Sequence, residues 1–234
     1  MRNTFFTLLL MAIFTVISCN SSEKHYYVEI KTTAGNIQVK LYNETPMHRD
    51  NFVTLCKTKY YDGVLFHRVI DNFMIQSGDP DSKEKEPGKL YGDGGPDYIV
   101  PAEFRTPEIF HKRGSLAAAR EGDRVNPERA SSGSQFYLVK GRVYDDDEAL
   151  NAQADRINQR NAAMGIISDY TLSDEQRKVY KSVGGTPHLD SQYTVFGEIV
   201  KGYEVVEKIS KVETDANNRP LEDVWIISTK VRFR

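Results

Sequence analysis

The sequence predicts a mainly β protein, built as a closed antiparallel barrel with helices packed against it. Three observations favour this class. Many short runs alternate between apolar and polar residues, as half-buried strands do. Two amphipathic helical patterns lie among these runs. Strands and helices do not alternate regularly, which argues against a parallel α/β sheet.

Composition describes an ordinary globular protein. The chain has 234 residues, of which 39% are hydrophobic and 27% charged, enough for one or two domains. Its formal net charge is −2, so it lacks the basic excess of a nucleic-acid-binding protein, and we expect no nucleic-acid partner.

The N-terminus has the features of an export signal. Arg2 precedes an apolar run over 5–17, which is too short for a confident membrane span, so residues 1–18 are predicted to be a signal peptide. The run ends at Cys19 in a pattern that resembles a bacterial lipobox, where the cysteine is lipidated and the peptide is cut before it. The alternative is an ordinary signal peptide that ends near a cysteine.

Lipidation would make residues 19–25 a polar tether between the membrane and the folded domain. Asn20 follows the cysteine, where many lipoproteins of the inner membrane carry aspartate, and no acidic run follows. By analogy, these features predict a lipid-anchored protein of the cell envelope, at the periplasmic face of the outer membrane.

Strands are predicted in order from alternation and from the turn residues between the runs. Residues 32–35 supply a turn between the first two strands, and Asp71-Asn72 a hinge between the third and fourth. The strand over 114–119 consists of small residues, which allow close approach to its backbone. The predicted strands are 26–31, 36–42, 65–70, 73–78, 114–119, 134–139, 194–199 and 224–231.

The two helical patterns lie after the second strand and before the last. The first helix begins with Thr45 as N-cap and Pro46 at its first position, and ends near residue 60. The second covers 203–209. Residues 79–96 are rich in glycine, proline and charge, so they predict a surface loop, and they lack the Gly-Lys-Ser/Thr ending of a phosphate loop.

A further helical segment lies at about 142–186. Acidic residues 145–148 start a helix to about Met164, and Ser173 with Gln176 forms a capping box for a second helix to about Val183. We interpret the segment as a helical hairpin. The alternative, a calcium loop, is disfavoured because the acidic run lacks alternating ligands and a central glycine.

Isolated residues give little support for thiol catalysis or for a metal site. Cys56 is predicted to be a small buried side chain rather than a catalytic thiol. His25, His48 and His111 lack the spacing of metal ligands and are predicted at the surface. We therefore expect no metal and no cofactor.

One segment, FHRVIDNFMIQSGD over 66–79, carries the functional signal. It places Arg68 among apolar residues, with the amide of Gln76 close behind. A lone arginine in such surroundings is either an ion-pair partner or a fixed hydrogen-bond donor in an apolar cleft, and the residues alone favour the ion pair. The segment resembles the signature of the cyclophilins, which are peptidyl-prolyl cis-trans isomerases, and this resemblance favours the donor.

The resemblance covers residues 26–234 apart from the loop after Asp79 and the segment 142–186. It implies a closed eight-stranded antiparallel barrel with two capping helices, interrupted by the helical hairpin as an insert. It also implies that proline-containing, unfolded or flexible polypeptides are the partners. The chain would then accelerate Xaa-Pro isomerisation while exported proteins fold. The alternative is a cyclophilin-like module that binds clients with little turnover.

The resemblance also implies the site. Arg68 and Gln76 would be the catalytic pair. Four positions depart from the family pattern. Arg120 replaces Asn, Tyr137 replaces Phe and Tyr193 replaces His. His188 replaces the Trp whose indole N–H binds cyclosporin in many members. The substrate-binding residues that the resemblance implies are Phe73, Met74, Ala119, Arg120, Gln135, Tyr137, His188, Leu189 and Tyr193.

Overall fold

A computed structural model describes residues 23–234 of the chain. The predicted signal peptide and the predicted lipidation site, Cys19, lie outside the described residues, as does the first part of the predicted tether. Within the described part, no helix is both long and apolar enough to cross a membrane.

The described residues form ten strands and four α-helices. All eight predicted strands are present, several of them shorter than predicted. The strands are β1 (Tyr26–Thr32), β2 (Gly35–Leu41), β3 (Arg68–Ile70), β4 (Met74–Ser77), β5 (Ile99–Val100), β6 (Ser115–Ala118), β7 (Ser131–Ser132), β8 (Phe136–Val139), β9 (Val195–Lys201) and β10 (Ile226–Phe233). The helices are α1 (Pro46–Lys57), α2 (Asp147–Ala163), α3 (Asp174–Ser182) and α4 (Tyr203–Ser210).

Eight strands form one curled antiparallel sheet in the order β10-β1-β2-β9-β6-β8-β4-β3, and β5 pairs with β7 separately. The predicted closed barrel is not confirmed, because no ladder joins the end strands β3 and β10 in the described part of the chain. The two ends meet just before β3, where the backbone N–H of Phe66 donates to Val224 at 2.8 Å and that of Ile226 donates to Val64 at 2.9 Å. A single bridge between Leu65 and Trp225 connects the two ends, and the sheet is a half-barrel.

The main core lies inside this curled sheet. Alternate residues of β1 and β2 point inward, and Val28, Ile30, Ile37 and Val39 are fully buried there. α1 and α4 contribute apolar faces to the same core, with Phe52 and Val206 among their buried residues. These are the two predicted core helices.

α1 begins where the sequence predicts, but its N-terminus is capped differently. Thr45 is the N-cap residue, yet its side chain forms no capping hydrogen bond. The carboxylate of Glu103 instead accepts hydrogen bonds from the backbone N–H groups of Met47 and His48, at 3.2 and 2.9 Å. His48 also bonds Glu103 through its ring and is buried, so its predicted surface position is wrong.

Residues 142–186 contain the two predicted helices. Asp146 caps α2 by accepting a hydrogen bond from the backbone of Ala149, at 2.7 Å, and the predicted capping box of Ser173 and Gln176 is present in α3. The helices contact each other through Asp147 of α2, which lies 2.9 Å from the ammonium of Lys181. A small separate core supports them, formed by Phe110, Tyr144, Leu150, Leu172 and Tyr180.

Candidate active site

An apolar cavity of about 110 Å³ opens where β3, β4 and β8 meet the segment around residue 190. It has room for one small side chain. All nine residues that line it are among those the sequence predicts for the site. They are Arg68, Phe73, Met74, Gln76, Ala119, Arg120, Tyr137, Leu189 and Tyr193.

Arg68 reaches this cavity from β3. It is the cross-strand partner of Gln76 in the neighbouring strand β4, so both side chains leave the sheet on the same face. The guanidinium donates to Oε1 of Gln76 at 3.3 Å and lies 5.8 Å from the ring centroid of Phe73. Burial lowers the pKa of Arg68. No carboxylate pairs with it among residues 23–234, so the structure favours a fixed donor over an ion-pair partner.

Gln76 is itself held by a chain of amides. Its Nε2 donates to Oε1 of Gln135 at 3.0 Å. Nε2 of Gln135 then donates to the carbonyl oxygens of Gly92 and Gly94, at 2.7 and 2.8 Å. The predicted surface loop therefore anchors the amide that orients Arg68. Gln135 does not line the cavity but lies in an adjoining groove of about 540 Å³.

The apolar wall comes from alternate residues of β4 and β8. Met74 and Tyr137 are buried in a small cluster beside the cavity, and Leu189 joins them from the other side. Phe136, the neighbour of Tyr137, points to the opposite face of the sheet and is buried in the main core. This alternation is the reason that only one of two adjacent aromatic residues reaches the site.

Comparisons with known proteins agree with this geometry. Residues 27–231 match the family model described as cyclophilin type peptidyl-prolyl cis-trans isomerase/CLD. The chain belongs to the cyclophilin-type peptidyl-prolyl cis-trans isomerase family. Its activity is therefore cis-trans isomerisation of peptidyl-prolyl bonds.

Relatives support this membership. A Staphylococcus haemolyticus protein named as a peptidyl-prolyl cis-trans isomerase is 34% identical over 87% of this chain and 90% of its own length. A Staphylococcus aureus protein named likewise is 33% identical, with the same coverage.

The fold is also that of a Cryptosporidium parvum cyclophilin type peptidyl-prolyl cis-trans isomerase. Its crystal structure gives a TM-score of 0.60 at 21% identity, over 89% of this chain and 98% of that one. A second crystal structure of that protein was determined in the presence of the dipeptide Ala-Pro. It gives a TM-score of 0.59 at 21% identity, over 88% of this chain and 98% of that one.

Tyr137, which stands where the family usually has Phe, places a hydroxyl group below the cavity. Its oxygen lies 2.9 Å from Nε2 of His111, and Nδ1 of His111 lies 3.0 Å from the carboxylate of Asp190. With the proton of His111 on Nδ1, the ring donates to Asp190 and accepts from Tyr137. The predicted surface position of His111 is wrong, because its side chain is 1% exposed.

Asp190 connects this network to residues 170–180. Its second carboxylate oxygen accepts hydrogen bonds from the hydroxyl of Tyr180 at 2.7 Å and from Nε2 of Gln176 at 3.0 Å. The hydroxyl of Tyr170 lies 3.4 Å from the same oxygen. Sequence reasoning missed these residues; a tyrosine at a position that is usually phenylalanine was the one available sign that a buried polar partner exists.

His188 lies at the rim of the cavity and does not line it. Its ring stacks on Phe73, with the centroids 5.6 Å apart and the planes inclined by 25°. Burial, followed by nearby positive charges, lowers the pKa of His188 to about 4, so the ring is neutral near pH 7.

Arg120 has its side chain held inside the protein. Its guanidinium donates to the backbone oxygens of Gln192 and Glu121, both at 2.8 Å, and pairs with Asp123 at 2.6 Å. Its backbone forms no hydrogen bond with any of residues 23–234, whereas both backbone groups of Ala119 are already bonded. Of the predicted Ala119-Arg120 pair, Arg120 therefore has the backbone available to a substrate chain.

Metal-dependent chemistry and thiol chemistry find no support among the described residues. No group of three or more metal-ligating side chains occurs within residues 23–234. Cys56 is buried in the main core, and burial raises the pKa of its thiol to about 12. A thiol with this pKa stays protonated at neutral pH and is a poor nucleophile.

Proposed function

We propose that this chain isomerises Xaa-Pro bonds in exported polypeptides, with the proline ring in the apolar cavity and Arg68 as the electrostatic catalyst. The observation that carries this proposal is the guanidinium of Arg68, held by Gln76 at the edge of a cavity that admits one small ring. A crystal structure of the Cryptosporidium parvum relative, determined in the presence of the dipeptide Ala-Pro, supports proline as the occupant.

The barrier that must be lowered is amide resonance, which holds the peptide bond planar at a cost of about 18–20 kcal/mol. The cis and trans forms of an Xaa-Pro bond differ by only about 0.5–1 kcal/mol, so a catalyst need not drive the reaction. As the bond twists, the proline nitrogen becomes pyramidal and regains its lone pair. A fixed donor stabilises that lone pair, and apolar walls exclude the water that stabilises the planar amide.

The residues divide these tasks between them. Arg68 is the donor, and Gln76 with Gln135 holds it in place before substrate arrives. Phe73 and Met74, together with the other apolar residues of the cavity wall, grip the proline ring. The mechanism requires no nucleophile and no cofactor, since no covalent bond is formed or broken.

The experiment that tests the function measures the isomerisation of an Ala-Pro peptide by the full chain, purified in detergent. We expect a rate well above the uncatalysed reaction. A rate equal to the uncatalysed one, with peptide binding retained, would instead support the alternative of a client-binding module.

Two further features rest on sequence patterns. We infer that Cys19 carries a lipid anchor, with residues 1–18 removed, and that the domain lies on the periplasmic face of the outer membrane. Polar residues follow Cys19 and lead into β1 at Tyr26, which suits a tether. We also infer that the segment 142–186 is an insert relative to ordinary members of the family.

Replacing Cys19 by serine tests the anchor. Serine lacks the thiol that accepts the lipid, so the variant should leave the membrane fraction or accumulate uncleaved. Fractionation of cells followed by mass determination of the chain measures both outcomes, and Cys56→Ser is the matched control. Membrane retention with normal processing of the Cys19→Ser variant would contradict lipidation.

Cyclosporin should inhibit this protein weakly. His188 stands where many members carry the Trp that binds the drug, and its smaller ring covers less apolar surface. Loss of a large contact at a pocket rim typically costs about 1–3 kcal/mol, which is roughly five- to 150-fold in affinity. His188→Trp should therefore tighten the inhibition constant more than it changes turnover, since His188 does not line the cavity. Tight inhibition of the unmodified chain would contradict this.

A further inference from the structure

Three arginines share one carboxylate beside the cavity. The guanidinium of Arg120 lies 2.6 Å from Oδ1 of Asp123, Nε of Arg129 lies 3.7 Å from the same oxygen, and Nε of Arg160 lies 3.9 Å from Oδ2. The single carboxylate of Asp123 thus faces three guanidinium groups. Nη1 of Arg160 forms no hydrogen bond with any of residues 23–234. The cluster has a surplus of positive charge.

This cluster adjoins the proline cavity. Arg120 lines the cavity and lies 4.5 Å from the ring centroid of Tyr193, another residue of its wall. Arg160 belongs to α2, which packs against the short turn Pro187–Leu189 that carries the rim and wall residues His188 and Leu189. α2 therefore forms one flank of the site.

A second arginine of α2 extends the positive flank. Arg156 lies one helical turn before Arg160 and is exposed. These charges act on the rim residue His188. Burial is the largest cause that lowers the pKa of His188, followed by His111 and then by the positive charges of Arg156, Arg160 and Arg142.

Acidic side chains line the groove beside the cavity. The adjoining groove shares Gln76, Ala119 and Arg120 with the cavity and is lined further along by Asp93, Asp97 and Glu121. A chain that lies in the groove and the cavity thus meets acidic side chains as well as the arginines of α2. Such a field distinguishes peptides by where their charges lie relative to proline.

We propose that α2 makes this site select prolines that have a carboxylate side chain nearby, and that Arg156 and Arg160 are the residues that recognise it. The inference rests on the proposed function and adds a substrate class to it. The segment 142–186 thereby acts as a specificity element.

The test uses peptides of one sequence around Ala-Pro, with Glu or Gln two residues before or two residues after this pair. Isomerisation by the full chain in detergent is followed by NMR exchange, which needs no protease with charge preferences of its own. The readout is the ratio of kcat/KM for the Glu and Gln peptides. We expect a ratio of about three- to tenfold at one or both of these positions.

Variants then assign the preference to α2. Arg156→Gln combined with Arg160→Gln should reduce the ratio to near one, and Arg156→Glu alone, at an exposed position, should reduce it without loss of folding. Lys208→Gln combined with Lys211→Gln removes the same charge from exposed positions of α4 and should preserve the ratio. Raising salt from about 0.01 M to about 1 M should also reduce the ratio, because it screens exposed charges.

The outcomes separate the two proposals. A ratio near one at both positions, with the Gln peptides isomerised normally, overturns the selection but leaves the proposed function intact. A ratio that both arginine variants leave unchanged also overturns it. If no peptide is isomerised, the proposed function fails and the selection fails with it.

Discussion

Replacing Arg68 by alanine should lower kcat/KM for an Ala-Pro peptide by about 10²- to 10³-fold, the usual cost of removing one preorganised donor from an active site. The loss should fall mainly on kcat, since the donor acts on charge that develops as the bond twists. Stability should fall by only about 1 kcal/mol, because Arg68 is half-buried and makes one long hydrogen bond. Urea denaturation measures this second quantity.

Arg113→Ala is the matched control for this substitution. Arg113 is also half-buried and lies over an aromatic ring, 5.9 Å from the centroid of Tyr203, but it does not line the cavity. Its replacement should leave kcat/KM unchanged within about twofold. Full activity of Arg68→Ala would refute the electrostatic mechanism, and extensive unfolding of the variant would show that Arg68 is mainly structural.

Replacing Asp190 by alanine should lower the free energy of unfolding by about 3–5 kcal/mol, because it removes the acceptor at the centre of a buried network. The carboxylate is fully buried and accepts hydrogen bonds from His111, Tyr180 and Gln176. Without it, these donors lie buried and unpaired. Urea denaturation followed by circular dichroism measures the loss.

Asp169→Ala provides the control, since Asp169 is exposed in the loop between α2 and α3 and should cost less than about 0.5 kcal/mol. Tyr137→Phe removes a single hydroxyl from the far end of the network and should cost about 1–3 kcal/mol, the penalty for leaving His111 without that partner. If Asp190→Ala were as mild as Asp169→Ala, the network would not support the junction between α3 and the cavity.

Local sequence signals located the helices and strands well, for identifiable physical reasons. A capping box satisfies the free N–H groups of its own helix, so Ser173 and Gln176 indicate the start of α3 without reference to any other part of the chain. Alternation in β4 and β8 likewise separates cavity residues from core residues. The segment 66–79 indicated the family, and all nine cavity residues were predicted by resemblance to it.

What the sequence could not reveal are contacts between residues far apart in the chain. Whether the sheet closes depends on how β3 and β10 approach each other, and this is decided by packing of the whole core rather than by either strand. His111 and Asp190 are separated by 79 positions, and Asp123 lies in a different segment from Arg160. Nothing in the local pattern of these residues indicates burial.

The sequence by itself therefore determined the family, because the signature is one continuous segment, 66–79, that is recognised without any long-range contact. The tertiary structure alone decided that residues 142–186 reach the site. Folding brings Asp190 under Tyr137 and the arginines of α2 beside the cavity rim, and buried polar groups must find partners wherever the fold provides them. These long-range contacts connect the helices of residues 142–186 to the candidate site.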